Sequence, residues 1–107
     1  TSKATIRKVS DSLLDEVAQV LKEHPEITRV EVQGHTDSRG SASLNKTLSQ
    51  SRAESVKGAL ERRGIAADRL TPRGYGPDKP VGDNATDTGR QKNRRVQFVI
   101  VERGKKQ

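Results

Sequence analysis

A chain of 107 residues has room for one domain, read here as spanning 1–107, and not for two. Only 29% of it is hydrophobic, with one Tyr and one Phe, so the core must be small and aliphatic; the lack of cysteine excludes disulfides and thiolate chemistry. The formal net charge of +7 favours anionic partners such as nucleic acid, acidic lipid headgroups or an anionic polymer, and no apolar run approaches the ~20 residues of a membrane span.

The first periodic stretch covers residues 9–21. Val9, Leu13, Val17 and Leu21 recur every fourth position, and Leu14, Ala18 and Val20 widen the stripe, which predicts an amphipathic helix. Ser10, Asp11 and Ser12 suit its N-terminus, and Pro25 stops it because the residue before a proline is pushed out of the α region. Residues 29–33 alternate polar and apolar, which predicts a strand with one buried face, ended by Gly34. Residues 35–43 read as a loop. Leu44, Leu48, Val56 and Leu60 then define a second helical stripe, with Gly64 as a C-cap; Ser49 suggests a break into a short helix and a longer one.

Residues 70–75 are a weaker strand, interrupted by Pro72. Pro77, Pro80, Gly82, Asn84 and Gly89 mark a long loop. Residues 95–101 are β-branched and apolar on both faces, which predicts a central strand. The expected fold is an α/β (α+β) two-layer sandwich of βαβαβ type, with helices on one face of a mixed sheet. The abrupt opening at Thr1-Ser2-Lys3 reads as a fragment of something longer, with any targeting or anchoring segment outside it.

Arg52 falls on the second stripe where an apolar residue is expected. A guanidinium there either snorkels to solvent, pairs with a structural carboxylate, or offers a planar fork to a ligand carboxylate. Asp37, in the segment Gly34-His35-Thr36-Asp37-Ser38-Arg39-Gly40 just past a strand, either caps a turn or belongs to a site at the strand's carboxyl end. A hydrolase built from His35, Asp37 and Ser38 fails because a triad draws its members from separate elements. With only His24 and His35, no zinc spacing exists, so neither a metal nor another cofactor is expected. A basic nucleic-acid-binding domain is the alternative that charge alone suggests, but Phe98 reads as core and leaves only Tyr75 for base stacking.

Taken in order, the residues resemble a known family. Val32-Gln33-Gly34-His35-Thr36-Asp37-x-x-Gly40 is followed by Asn45, Leu48-Ser49, Arg52-Ala53 and Val56. Gly64-Ile65, Arg69-Leu70, Gly74-Tyr75-Gly76, Pro80, Asn84 and Thr86 continue the pattern, and Gly89-Arg90-x-x-Asn93-Arg94-Arg95-Val96 closes it. This pattern is similar to the OmpA-like C-terminal domain shared by OmpA proteins, the lipoprotein Pal and the stator protein MotB. The resemblance spans roughly residues 6 to 101. It implies a non-enzymatic module that binds peptidoglycan in the periplasm through the diaminopimelate of the stem peptide, with membrane attachment only through other parts of a parent chain and with no nucleic-acid partner. By motif position Asp37 and Arg52 would hold the diaminopimelate, with Thr36, Asn45, Leu48, Asn93 and Arg94 as further candidates and Arg94 and Arg95 as buttresses. In the empty site Asp37 and Arg52 would neutralise each other. The family's opening strand is here either cut away or reduced to a remnant at residues 3–5.

Overall fold

The computed structural model describes residues 11–104. In chain order these form α1 (Asp11–Glu23), β1 (Ile27–His35), α2 (Ala42–Arg62), a single 3-10 turn (Ala67–Arg69), β2 (Leu70–Gly76), α3 (Asp87–Asn93) and β3 (Arg95–Arg103). The sheet order is β2-β1-β3, with β1 parallel to β2 and antiparallel to β3. Helices α1 and α2 pack on one face through a core of Leu14, Ala18, Leu21, Val30, Val32, Ala53, Val56, Leu60, Ile65 and Leu70. A mixed sheet layered with helices is the expected α/β sandwich.

Both helices bury part of the stripe read from the sequence and leave part of it exposed. In α1 the buried positions are Leu14, Ala18 and Leu21, while Leu13 and Val20 are 41% and 48% exposed. These two line a shallow apolar groove with Val17, Phe98 and Ile100. Val9 lies outside the described residues. Helix α2 is continuous, and its buried line runs through Ser49, Ala53, Val56, Ala59 and Leu60, leaving Leu44 49% exposed. Ser49 does not start a second segment: its hydroxyl bonds the Lys46 carbonyl and accepts from Gly76 N. Small residues face the sheet because helix and strands approach closely. A Cβ on Gly34 would collide with the Ser49 carbonyl.

The C-terminus of α2 matches expectation. Gly64 adopts φ 95°, and Ile65 N returns to the Leu60 carbonyl. The strand predicted to be central, β3, has one neighbour among the described residues; the middle strand is β1. The alternating polar residues of β1 are accommodated there because they bond one another laterally. The loop expected between β2 and β3 contains α3, seven residues capped by the Thr86 hydroxyl, which accepts from Gly89 N. The question of an opening strand at residues 3–5 falls outside the described residues.

Candidate functional site

The parallel strands β1 and β2 end side by side, His35 opposite Gly76, and the chain leaves β1 directly into Thr36 and Asp37. The carboxyl end of a parallel pair is the usual place for a site, because the connections to the helices diverge there. Thr36 N is anchored to the Gly76 carbonyl. Asp37 Oδ1 accepts from Arg39 N at 3.0 Å, an Asx turn that folds the loop back on itself. Asp37 Oδ2 accepts from Arg94 at 2.5 Å, and the Arg39 guanidinium lies 3.7 Å away. The carboxylate is therefore buried, doubly bonded and flanked by two cations.

Burial alone would push the Asp37 carboxyl up. The Arg39 amide, the Arg94 hydrogen bond and the charges of Arg94 and Arg39 more than offset it, so its pKa lies below the ordinary aspartate value. Asp37 is held ionised. The pairing corrects one expectation: its ion-pair partners are Arg94 and Arg39, not Arg52. Arg94 enters from the α3–β3 junction onto the loop, whereas Arg52 lies two helical turns, ~10 Å, beyond Asn45 along α2.

Asn45 ties α2 to the loop, its Nδ2 donating to the Arg39 carbonyl at 2.8 Å and the Asp37 carbonyl at 3.5 Å. Leu48 and Arg52 follow on the same helical face and are half-buried, as is Thr36. Asn93 is fully buried. It accepts from Val81 N and Gly82 N at 2.7 and 2.8 Å and donates to the Gly82 carbonyl and to Asn84 Oδ1. Its side chain is spent on holding the 81–84 loop. Gly89 brings that loop against α3, since a Cβ there would strike the Asp83 backbone.

A match to the OmpA family model covers residues 1–94. The chain belongs to the OmpA family. This OmpA-family domain is 44% identical over 100 residues to the probable lipoprotein YiaD of Escherichia coli, covering 94% of the chain and 45% of that protein. It is 43% identical over 88 residues to the peptidoglycan-binding protein ArfA of Mycobacterium tuberculosis, covering 82% of the chain and 27% of ArfA. The chain thus spans less than half the length of these curated relatives. Its fold overlays the crystal structure of the peptidoglycan-associated lipoprotein from Burkholderia pseudomallei with a TM-score of 0.78 at 33% identity, covering 92% of this chain and 81% of that one. ArfA and the Burkholderia lipoprotein are both named for peptidoglycan.

Two residues of the candidate site escaped sequence reasoning. Asn84 accepts from Ser38 N and from Asn93 Nδ2, and its own carbonyl accepts from Arg90, so it stitches the Asp37 loop to α3. Arg39 lends both its amide and its charge to Asp37. Asn84 stood in the family pattern without a role, and Arg39 fell on an unspecified position of it. Asn84 is not detectable by spacing, because the fold brings Ser38 to it across 46 positions, whereas Arg39 meets Asp37 locally, through the turn that the aspartate itself caps. Among the described residues no group of three His, Cys, Asp or Glu side chains could hold a metal.

Proposed function

We propose that this domain binds peptidoglycan non-covalently through the diaminopimelate of the stem peptide and anchors a larger envelope protein to the wall from the periplasm. The observation that carries this reading is the buried Asp37 carboxylate, kept ionised at the carboxyl end of β1 with lone pairs to spare. An uncrosslinked diaminopimelate ends in an ammonium and a carboxylate on one carbon. Asp37 takes the ammonium, and Arg52 offers a bidentate fork to the carboxylate. Thr36, Asn45 and Leu48 shape the wall between them, while Asn93 and Arg94 hold the loop in place. The names of ArfA and of the Burkholderia lipoprotein, both tied to peptidoglycan, agree with it.

The test is co-sedimentation with insoluble peptidoglycan at fixed ionic strength, with and without free diaminopimelate. Retention that free diaminopimelate competes away supports the reading. Retention that it never touches, and that salt alone abolishes, would reduce the interaction to ion exchange, the behaviour expected of a basic nucleic-acid binder. Release of soluble fragments would mean hydrolysis.

A further inference from the structure

The sheet face turned away from α1 and α2 carries an ordered polar array. Glu31, Gln33 and His35 alternate onto it from β1. Gln33 donates to Glu31 at 2.7 Å, His35 Nε2 bonds Gln33 Oε1 at 2.8 Å, and the Tyr75 hydroxyl donates to Glu31 at 2.6 Å. The Tyr75 ring stacks on His35 at 5.4 Å with planes 9° apart. Onto that platform come cations: Lys79 Nζ lies 4.8 Å and the Arg73 guanidinium 5.7 Å from the Tyr75 centroid. Arg95, opposite His35 in the β1–β3 register, donates to the Lys79 carbonyl and to Gln97.

The charge balance of this face is uneven. Glu31, 3.8 Å from Arg73, is the carboxylate within the array, and it is already bonded to Gln33 and Tyr75. Asp78, the nearest acid in sequence to Lys79, pairs instead with Lys46 on α2. Arg73 and Lys79 are exposed and Arg95 half-buried, so the positive field points outward. The His35 imidazole registers that field: burial first, then the charges of Arg95 and Lys79, hold its pKa down at about 4.

The array is continuous with the site above, because His35 runs straight into Thr36-Asp37 and Arg95 follows Arg94 directly. We propose that Arg73, Lys79 and Arg95, fixed around Tyr75, form a second anion-binding surface that takes the free carboxylates of a neighbouring stem peptide on the same wall polymer. This inference rests on the peptidoglycan-binding reading. One polymer then engages two faces of the domain, and the second contact raises its retention on intact wall without touching the affinity for an isolated stem peptide.

The experiment compares two charge-matched double variants. Arg73→Gln/Lys79→Gln removes two charges from the open face; Lys57→Gln/Arg62→Gln removes two from α2, across the sheet. Each is titrated with an isolated diaminopimelate stem peptide, with intact insoluble peptidoglycan and with anionic phospholipid vesicles, at matched salt. The expected result is an unchanged stem-peptide affinity in both variants, with retention on intact wall about 3–10-fold weaker in the open-face variant alone. Equal losses in the two variants would overturn the inference, since net charge would then explain the effect. Loss confined to vesicles would also overturn it and make lipid phosphate the ligand of this face. If wild-type protein fails to bind wall at all, it is the proposed function itself that falls.

Discussion

Arg94 and Asp37 stand 57 positions apart in the chain and meet at 2.5 Å. Their contact joins the loop after β1 to the junction between α3 and β3, so the carboxylate is positioned before any ligand arrives. A group already held by a second bond to Arg39 N loses little freedom on binding, which is how preorganisation raises affinity. Replacing Arg94 by Gln should leave a 6%-exposed carboxylate with one firm donor and cost roughly 1–3 kcal/mol of stability. Urea unfolding of the variant checks it; wild-type stability would mean that Arg39 alone suffices.

Binding should fall when either half of the proposed zwitterion reader is removed. Asp37→Ala and Arg52→Ala are each expected to weaken a diaminopimelate stem peptide by ~2–5 kcal/mol, the range for truncating one partner of a desolvated charge pair. Calorimetry reads this directly. Wild-type affinity in Arg52→Ala would return that arginine to a structural role.

The buried imidazole of His35 gives the domain a defined acid sensitivity. Its pKa is lowered from the ordinary 6.5 to about 4, chiefly by burial and then by Arg95 and Lys79. Between these values the unfolded chain takes up a proton that the folded chain refuses, so stability rises with pH across that window and is lost as pH falls through it. The full difference is about 3 kcal/mol. The Asp37 carboxyl works in a lower range: its depressed pKa contributes stability that is present above the ordinary aspartate value and lost only as pH falls through the folded one. Chemical denaturation at pH 7 and pH 4.5 should show the loss in wild type and a flatter profile in His35→Gln. Parallel profiles would place the acid sensitivity elsewhere.

Much of this fold can be read from the chain because β1, α1 and α2 carry their own periodicity. Asp37 can be placed at a strand's end for the same reason. What could not be read depends on partners. On α2 the line that lies against the sheet includes Ser49, a small residue where helix and strands approach closely, and hydropathy gives no signal for it. Helix α3 is seven residues, less than two full turns clear of its caps, too short for an apolar stripe to emerge. The strand with the greasiest sequence, β3, has one strand neighbour among the described residues, while the alternating β1 takes the middle because Glu31, Gln33 and His35 satisfy one another. The Arg94–Asp37 pair depends on α3 turning the chain back toward the loop.

Asn93 offers a test of that positioning role. Its amide makes four bonds to the 81–84 loop from a site with no solvent exposure. Asn93→Ala would orphan two backbone amides at once, at a cost of ~2–4 kcal/mol in unfolding free energy. Ligand affinity should fall less than for Asp37→Ala, because the effect reaches the site only through Asn84 and Ser38. A larger affinity loss with little loss of stability would make Asn93 a direct ligand contact.

Discrimination between wall chemistries follows from the same geometry. Diaminopimelate differs from lysine at the side-chain end by one carboxylate. With a lysine-type stem peptide the ammonium still reaches Asp37, but Arg52 gains no carboxylate. The lost charge-assisted, two-pronged bond to that carboxylate is the penalty the lysine type meets. Sites built to bond a particular group can therefore reject analogues that lack it. Arg52 is only half-buried, so water reaches part of the guanidinium and softens the penalty. The expected preference is ~10–100-fold for the diaminopimelate type, about 1.4–2.8 kcal/mol. Side-by-side titration with stem peptides that differ only at the third residue measures it, and repeating the pair on Arg52→Ala should collapse the ratio toward one. Equal affinities in wild type would mean that the carboxylate is not read by Arg52, and that Asp37 recognises an ammonium alone.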